Sequence, residues 1–257
     1  MTETASSVDW ASLIAKAAES HPDPVEAHTF LRSWPSASSP VLLACDDGGK
    51  YVVKGSNSGR TPVNEQVVGR LAGRIEAPVP QVRLVNVSAE LIRAEPNIAH
   101  LQPGLSHGSS WIPNCTDRQG MQYTSVQENR ERFARLAILY SWVRANDHQC
   151  IYEKSPPNRV WSVDHGHFFP NGPGWTIQSL RTASVVELDG WFGPCGLCSE
   201  EFRSACETLR SVTVADIASV VGGLPADWSV SQDERVALAG YIHVRRDGLI
   251  ALVSRMT

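Results

Sequence analysis

The order in which short strand-like runs give way to long helical stripes constrains this chain more than any other feature. VEAHTFLR, PVLLAC and KYVVKG are brief apolar runs cut apart by SWPSASS and DDGG, the pattern of an antiparallel meander. TPVNEQVVGRLAGRI follows with Val67, Val68, Leu71 and Ile75 on one helical face. The prolines of EAPVPQVRLVNV end that helix and open two further strands, QVRLVNV and AELIRAEP. Three strands, one helix and two strands make a small antiparallel unit.

After residue 97 the character changes to a loop rich in Gly, Ser and Pro. SVQENRERFARLAILYSWVRA then reads as a long buried helix, with Phe133, Leu136, Ala137, Tyr140, Trp142 and Val143 as its apolar positions. NDHQCIYEKSPPNRVWSVDHGHFFP reads as a polar loop, a strand, a Pro-Pro-Asn turn and a returning strand, which together form a hairpin. From Trp175 onward the stripes in SEEFRSACETLRSV, TVADIASVVGGL and SQDERVALAGYIHVRRDGLIALVSRM are helical, and a short amphipathic helix over residues 8–20 leads the chain. The fold class expected is α+β in two lobes. Residues 1–97 form a small lobe with a five-stranded antiparallel sheet and the leading helix, and residues 98–257 form a mainly helical lobe.

A chain of 257 residues is long enough to bury the core that such a plan needs. Its formal net charge of −4 argues against neutralising nucleic-acid phosphates as the main task. No apolar run reaches the roughly 20 residues that span a bilayer, and MTETASSVDW lacks the pattern of a signal peptide, so a cytoplasmic protein is expected. Six cysteines are then expected to be reduced. The pair in CGLC lacks the second pair of a structural zinc site, which favours packed thiols over a metal centre.

The hairpin carries the chemistry. Asp147 lies in the loop before it and Asp164 at its exit, just after the apolar positions Trp161 and Val163. An ionised carboxylate in such a place is costly unless a cation offsets it. A phosphoryl-transfer enzyme uses two carboxylates converging in this way: one accepts the proton of the substrate hydroxyl, the other holds Mg²⁺ against nucleotide phosphates. In the first lobe, Lys54 ends KYVVKG in position to reach phosphates, and Glu65 on the following helix is spaced to pair with it.

YVVKG, NEQVVGRLAGRIEAPVPQV, HLQPGLSHGSSW, RANDHQ and VWSVDHGHFF, in that order over about residues 25–185, resemble the HipA-like kinases, a branch of the protein-kinase-like fold. The resemblance implies a kinase that uses ATP and Mg²⁺ and transfers the γ-phosphoryl group to a hydroxyl acceptor, a protein Ser or Thr. It implies that Lys54 binds the α and β phosphates, that Glu65 pairs with it, that Asp147 is the catalytic carboxylate and that Asp164 binds the metal. Two departures stand out. The family pattern has a metal-binding Asn about five residues after the catalytic Asp, where this chain has Tyr152; the nearest amide is Gln149, which can offer a carbonyl oxygen to the metal. The phosphate-covering loop SWPSASS has no glycine.

Two other readings use the same residues. Asp147, His148, Asp164, His165 and His167 are the ligand types of a His/Asp metal-dependent hydrolase, although that centre leaves Lys54 and Glu65 unexplained. A nucleotide-binding pseudokinase or interaction module accounts for the missing Asn and the missing glycine loop. The histidines are more simply hydrogen-bonding groups that orient loops, and Trp161, Phe168 and Phe169 are more simply core.

Overall fold

The computed structural model describes residues 8–18, 23–36, 38–55, 58–116, 120–183 and 185–256. Its architecture is α+β, sheet-rich in the N-terminal part and helical thereafter.

Five strands, β1 (Val25–Ser33), β2 (Val41–Cys45), β3 (Lys50–Lys54), β4 (Val82–Val87) and β5 (Gly104–Ser110), close into a barrel of order β1-β2-β3-β5-β4. The five-stranded sheet expected is therefore present as a closed barrel, and it is not wholly antiparallel. Four seams are antiparallel, and a short parallel pairing of Val25 with Val85 and of Glu26 with Asn86 joins the two edges. Closure removes the edges that an open sheet of this size would leave unpaired. Val41, Leu43, Val53, Val85 and Val87 alternate into the interior, where Ile98 and Leu101 join them.

The fifth strand also differs from its expected segment. AELIRA is a helix, α3 (Ala89–Ala94), because Ser88 caps it by accepting from Leu91 N at 3.1 Å and its residues are mostly good helix formers. GLSHGSS, in the stretch expected to be loop, supplies β5 instead. Its small polar residues hide the strand period, and Gly108 is needed because a Cβ there would fall 2.4 Å from Val85 Cγ2. The barrel thus runs on to Ser110, past the change of character at residue 97.

The helix α2 (Thr61–Arg74) leaves the barrel and enters the larger core. Val63, Val67, Val68, Leu71 and Ile75 pack there with Phe133, Leu136 and Tyr140 of α4 (Gln127–Val143). A small sheet of β6 (Cys115–Thr116), β7 (Gln149–Glu153) and β8 (Val160–Val163) follows, with the hairpin β7–β8 in the expected place. Helices α5 (Ile177–Thr182), α6 (Ser199–Ser211), α7 (Val214–Gly222) and α8 (Gln232–Val253) complete the helical part. The leading helix α1 (Trp10–Ala18) packs on α7 and α8, not on the barrel. No helix among the described residues is long and apolar enough to cross a membrane.

Candidate functional site

Lys54 ends β3 and Glu65 lies in the second turn of α2, and the chain between them returns so that Lys54 Nζ donates to Glu65 Oε1 at 2.6 Å. The same ammonium donates to Asp164 Oδ1 at 2.6 Å. Lys54 and Glu65 are 5% and 4% exposed, whereas the Asp164 side chain keeps 36% of its surface, so the carboxylate that remains accessible is Asp164. Burial works against the charge of Lys54, but Glu65 and Asp164 outweigh it and hold the ammonium above its ordinary pKa. Burial likewise opposes ionisation of Glu65, and Lys54 with two neighbouring histidines overcomes it and holds the carboxyl well below the ordinary range. The pair is an ion pair in the folded protein.

Two histidines flank Glu65. His165 Nδ1 lies 3.6 Å from Glu65 Oε2, and its Nε2 meets Ser162 Oγ at 2.7 Å, which in turn meets Tyr140 OH at 2.6 Å. His107 stands opposite Lys54 in the β3–β5 register, with Nε2 4.0 Å from Glu65 Oε2. The amide of Gln66, oriented to satisfy both neighbours, donates to His107 Nδ1 at 2.8 Å and accepts from Arg70 Nη2 at 3.0 Å. Burial pushes the pKa of His107 down to about 4, so the ring is neutral near pH 7. Sequence reasoning missed His107 because it missed β5. It missed Asn64 as well, whose Nδ2 donates to the carbonyls of Gly166 (2.8 Å) and Phe168 (3.0 Å) while its Oδ1 accepts from Trp175 Nε1 at 2.9 Å. The only sequence signal for it was its place beside Glu65.

The exit of β8 is built to turn Asp164 into the cleft. Asp164 has φ 63°, a left-handed conformation that Asp tolerates better than most residues. Gly166 passes so close to α2 that a Cβ would fall 2.2 Å from Thr61 Cγ2. Phe168 and Phe169 are buried as expected, and Trp161 is half-buried with the Arg132 guanidinium 4.5 Å over its ring.

Lys54, Glu65, Asp164 and Gln149 line one cavity of about 380 Å³, with Val52 and Trp111 among its other walls. Asp147 is outside that lining and is tied to it through Gln149, whose Nε2 donates to Asp147 Oδ2 at 3.3 Å. That bond uses the amide nitrogen and leaves the Gln149 carbonyl oxygen available. Gln149 and Asp164 are thus two oxygen donors on one cavity, the hard ligand type that Mg²⁺ takes alongside waters and phosphate oxygens. Tyr152, at the position of the usual Asn, is buried in the core and donates its hydroxyl to Gly120 O at 2.9 Å, which removes it as a ligand. In SWPSASS, Trp34, Pro35 and Ser36 reach the cavity; Ala37 is outside the described residues.

The His/Asp metal centre does not assemble. His148 turns to Asp189 (Nε2 to Oδ2, 3.0 Å) and stacks on Trp191, His165 turns to Ser162, and His167 is exposed. Among the described residues no three His, Cys, Asp or Glu side chains are grouped to hold a metal ion. In CGLC, Cys195 Sγ contacts Met121 Sδ at 2.8 Å and Cys198 is exposed at the start of α6.

A buried lysine–glutamate pair held against an aspartate, on a barrel joined to a helical bundle, is the framework of a kinase-like phosphotransferase. A sequence profile described as HipA-like kinase matches residues 30–169, more than half of the chain, and the chain belongs to that family. No curated protein sequence matches it. Among solved structures, the Helicobacter pylori proinflammatory kinase CtkA superposes with a TM-score of 0.56 at 8% identity, over 91% of this chain and 100% of that one. That likeness is one of fold. More distant are HipA from Shewanella oneidensis MR-1, in a toxin–antitoxin complex with HipB and operator DNA (TM-score 0.42, 11% identity, 96% of this chain and 70% of that one), and an aminoglycoside phosphotransferase from Alicyclobacillus acidocaldarius (TM-score 0.31, 11% identity, 88% and 92%).

Proposed function

We propose that this protein is an ATP- and Mg²⁺-dependent kinase that transfers the γ-phosphoryl group to a hydroxyl, that of a protein Ser or Thr. The observation that carries the reading is the three-way contact of Lys54 with buried Glu65 and accessible Asp164, 2.6 Å on each side. The barrel and the helical part act as two lobes, with the nucleotide between them in the cavity that Val52 and Trp111 wall. Lys54 binds the α and β phosphates, and Glu65 keeps its ammonium charged and aimed. Asp164 and Gln149 would hold the metal, which would supply charge neutralisation at the phosphates. Asp147 accepts the proton of the acceptor hydroxyl at its carboxylate, and the amide of Gln149, donating to Oδ2 at 3.3 Å, steadies it.

In single-turnover transfer from labelled ATP, with the protein itself among the acceptors, Asp147→Asn should abolish most transfer while ATP and Mg²⁺ still bind. Asp164→Asn should reduce metal-dependent nucleotide binding and turnover together. Two variants that bind and turn over like the parent would sink the mechanism. ATP binding without transfer to any acceptor, its true one supplied, would make the protein a pseudokinase.

A further inference from the structure

Glu65 is a buried carboxylate whose two oxygens have different surroundings. Oε1 accepts from Lys54 Nζ at 2.6 Å, and the same ammonium is shared with Asp164. Oε2 faces two buried rings instead, His165 Nδ1 at 3.6 Å and His107 Nε2 at 4.0 Å. A neutral imidazole donates from one nitrogen and accepts at the other, so the effect of each ring on Glu65 depends on which nitrogen carries the hydrogen. The outer partner of each ring decides it.

On the His165 side the count runs inward from Tyr140. The fully buried Tyr140 hydroxyl has one hydrogen-bond partner among the described residues, Ser162 Oγ at 2.6 Å, so the phenol donates to it. The serine oxygen has one further partner, His165 Nε2 at 2.7 Å, so its own hydrogen goes there. Nε2 is then the acceptor, and the ring hydrogen is on Nδ1, on the side of Glu65. The reverse direction would leave the Tyr140 hydrogen buried without an acceptor and set the Nδ1 lone pair against a carboxylate.

On the His107 side the count starts from Arg70, whose guanidinium only donates. Its Nη2 and Nε reach the Gln66 side chain at 3.0 and 3.3 Å, so the amide oxygen turns to them and the amide nitrogen donates to His107 Nδ1 at 2.8 Å. The hydrogen of His107 is therefore on Nε2, again on the side of Glu65. Burial holds the pKa of this ring down at about 4, so it carries a single hydrogen near neutral pH.

We propose that His165 and His107 are positioning residues that act through Glu65: in opposite tautomers, Nδ1–H and Nε2–H, they form a two-donor cradle that keeps Glu65 ionised and aimed while Lys54 engages phosphates. The inference rests on the role proposed for Lys54. An ammonium drawn toward phosphate oxygens gives less to Glu65, and a buried carboxylate that loses its cation takes up a proton unless other donors hold it. Two N–H groups 3.6 and 4.0 Å from one oxygen close on it with a small side-chain movement. Each ring is fixed from a different part of the fold, His165 by α4 and β8 and His107 by α2, so the cradle stays in place when the lysine moves.

The two tautomers predict opposite rescues, because the amide nitrogen of Asn lies at the δ position of a side chain and that of Gln at the ε position. His165→Asn keeps a donor toward Glu65 and His165→Gln does not; His107→Gln keeps one and His107→Asn does not. Long-range ¹H–¹⁵N correlation of the histidine rings in the parent protein should place hydrogen on Nδ1 of His165 and on Nε2 of His107. Urea midpoints, with no nucleotide present, should rank Asn above Gln at 165 and Gln above Asn at 107. In calorimetric titration with a non-hydrolysable ATP analogue and Mg²⁺, His165→Gln and His107→Asn should bind about tenfold more weakly than the parent, and the two rescuing variants within about threefold of it. The proposal is overturned if either ring carries its hydrogen on the other nitrogen, if both positions prefer the same amide, or if the analogue affinities do not follow the crossed order. Failure of the kinase reading looks different: the parent binds no analogue while the tautomers and the crossed urea ranking hold.

Discussion

Replacing Lys54 by Met separates its ion pair with Glu65 from the phosphate contact proposed for it. Met keeps most of the apolar stem and removes the ammonium 2.6 Å from Glu65 Oε1. Glu65, 4% exposed, must then stay ionised without its main counter-charge or take up a proton. Removing one partner of a buried pair costs about 3–5 kcal/mol. His165, 3.6 Å from Glu65 Oε2, remains to offset part of that, and loss of the Asp164 contact adds little because solvent screens that carboxylate. The low end, about 3 kcal/mol, is therefore expected, or a fall in Tm of roughly 6–12 °C for a chain of this size. Glu65→Gln alone should cost less, and Lys54→Met/Glu65→Gln should recover most of the stability lost by the single lysine variant. Nucleotide binding should not recover, since the phosphate contact is absent in both. Urea unfolding of the four proteins, beside calorimetric titration with an ATP analogue and Mg²⁺, reads both effects. A double variant no more stable than Lys54→Met would refute the buried-pair argument, and unimpaired nucleotide affinity in Lys54→Met would refute its role in the cleft.

Three further outcomes are expected. The unfolded chain protonates His107 near pH 6.5 whereas the folded chain resists until about pH 4, so its contribution is whole above pH 6.5 and declines as pH falls through that window, by up to about 3 kcal/mol; urea melts should show this acid limb flattened in His107→Gln, and an unchanged limb would remove the histidine as its source. Gln149→Ala should raise the Mg²⁺ concentration needed for phosphoryl transfer more than it alters metal-free ATP binding, and an unmoved midpoint would mean that another donor fills that position. Gly166→Ala should destabilise by about 1–3 kcal/mol through its clash with Thr61 Cγ2, and Thr61→Ser in the same chain should restore most of it; thermal melts of the single and double variants settle whether that contact limits the loop.

Legibility followed how each element earns its stability. The hairpin β7–β8 and helices α2 and α4 were readable because their apolar positions repeat at a period that one buried face imposes. The fifth strand was not. GLSHGSS has no apolar alternation, since its place is fixed by pairing on both sides, to β3 and to β4, and by a glycine that lets Val85 pass. AELIRA carries enough apolar residues to read as a strand, and only Ser88 with Glu90 in the first turn marks it as a helix. Barrel closure rests on a parallel seam between β1 and β4, residues about 60 apart, which no local pattern announces.

The site shows the same division between local and long-range signals. Lys54 and Glu65 were readable because their contact spans one strand and one helix turn, a separation of 11 residues that the sequence exposes directly. His107, Asn64 and Gln66 were not, because what matters about each is a partner brought close by tertiary folding: Glu65 across the barrel wall, Gly166 from the β8 exit, His107 from β5. All three of those contacts run through α2, which enters the helical core by its apolar face and meets the barrel and the β8 loop by its polar residues. The burial of Asn64, Glu65 and Gln66 in sequence follows from that position: a helix wedged between two halves of a molecule has no solvent face there, and each polar side chain must find its partner in a different neighbour. A shift of α2 would therefore break the Lys54 pair and release the Asp164 loop together, which makes this one helix the element on which the geometry of the Lys54 cavity depends.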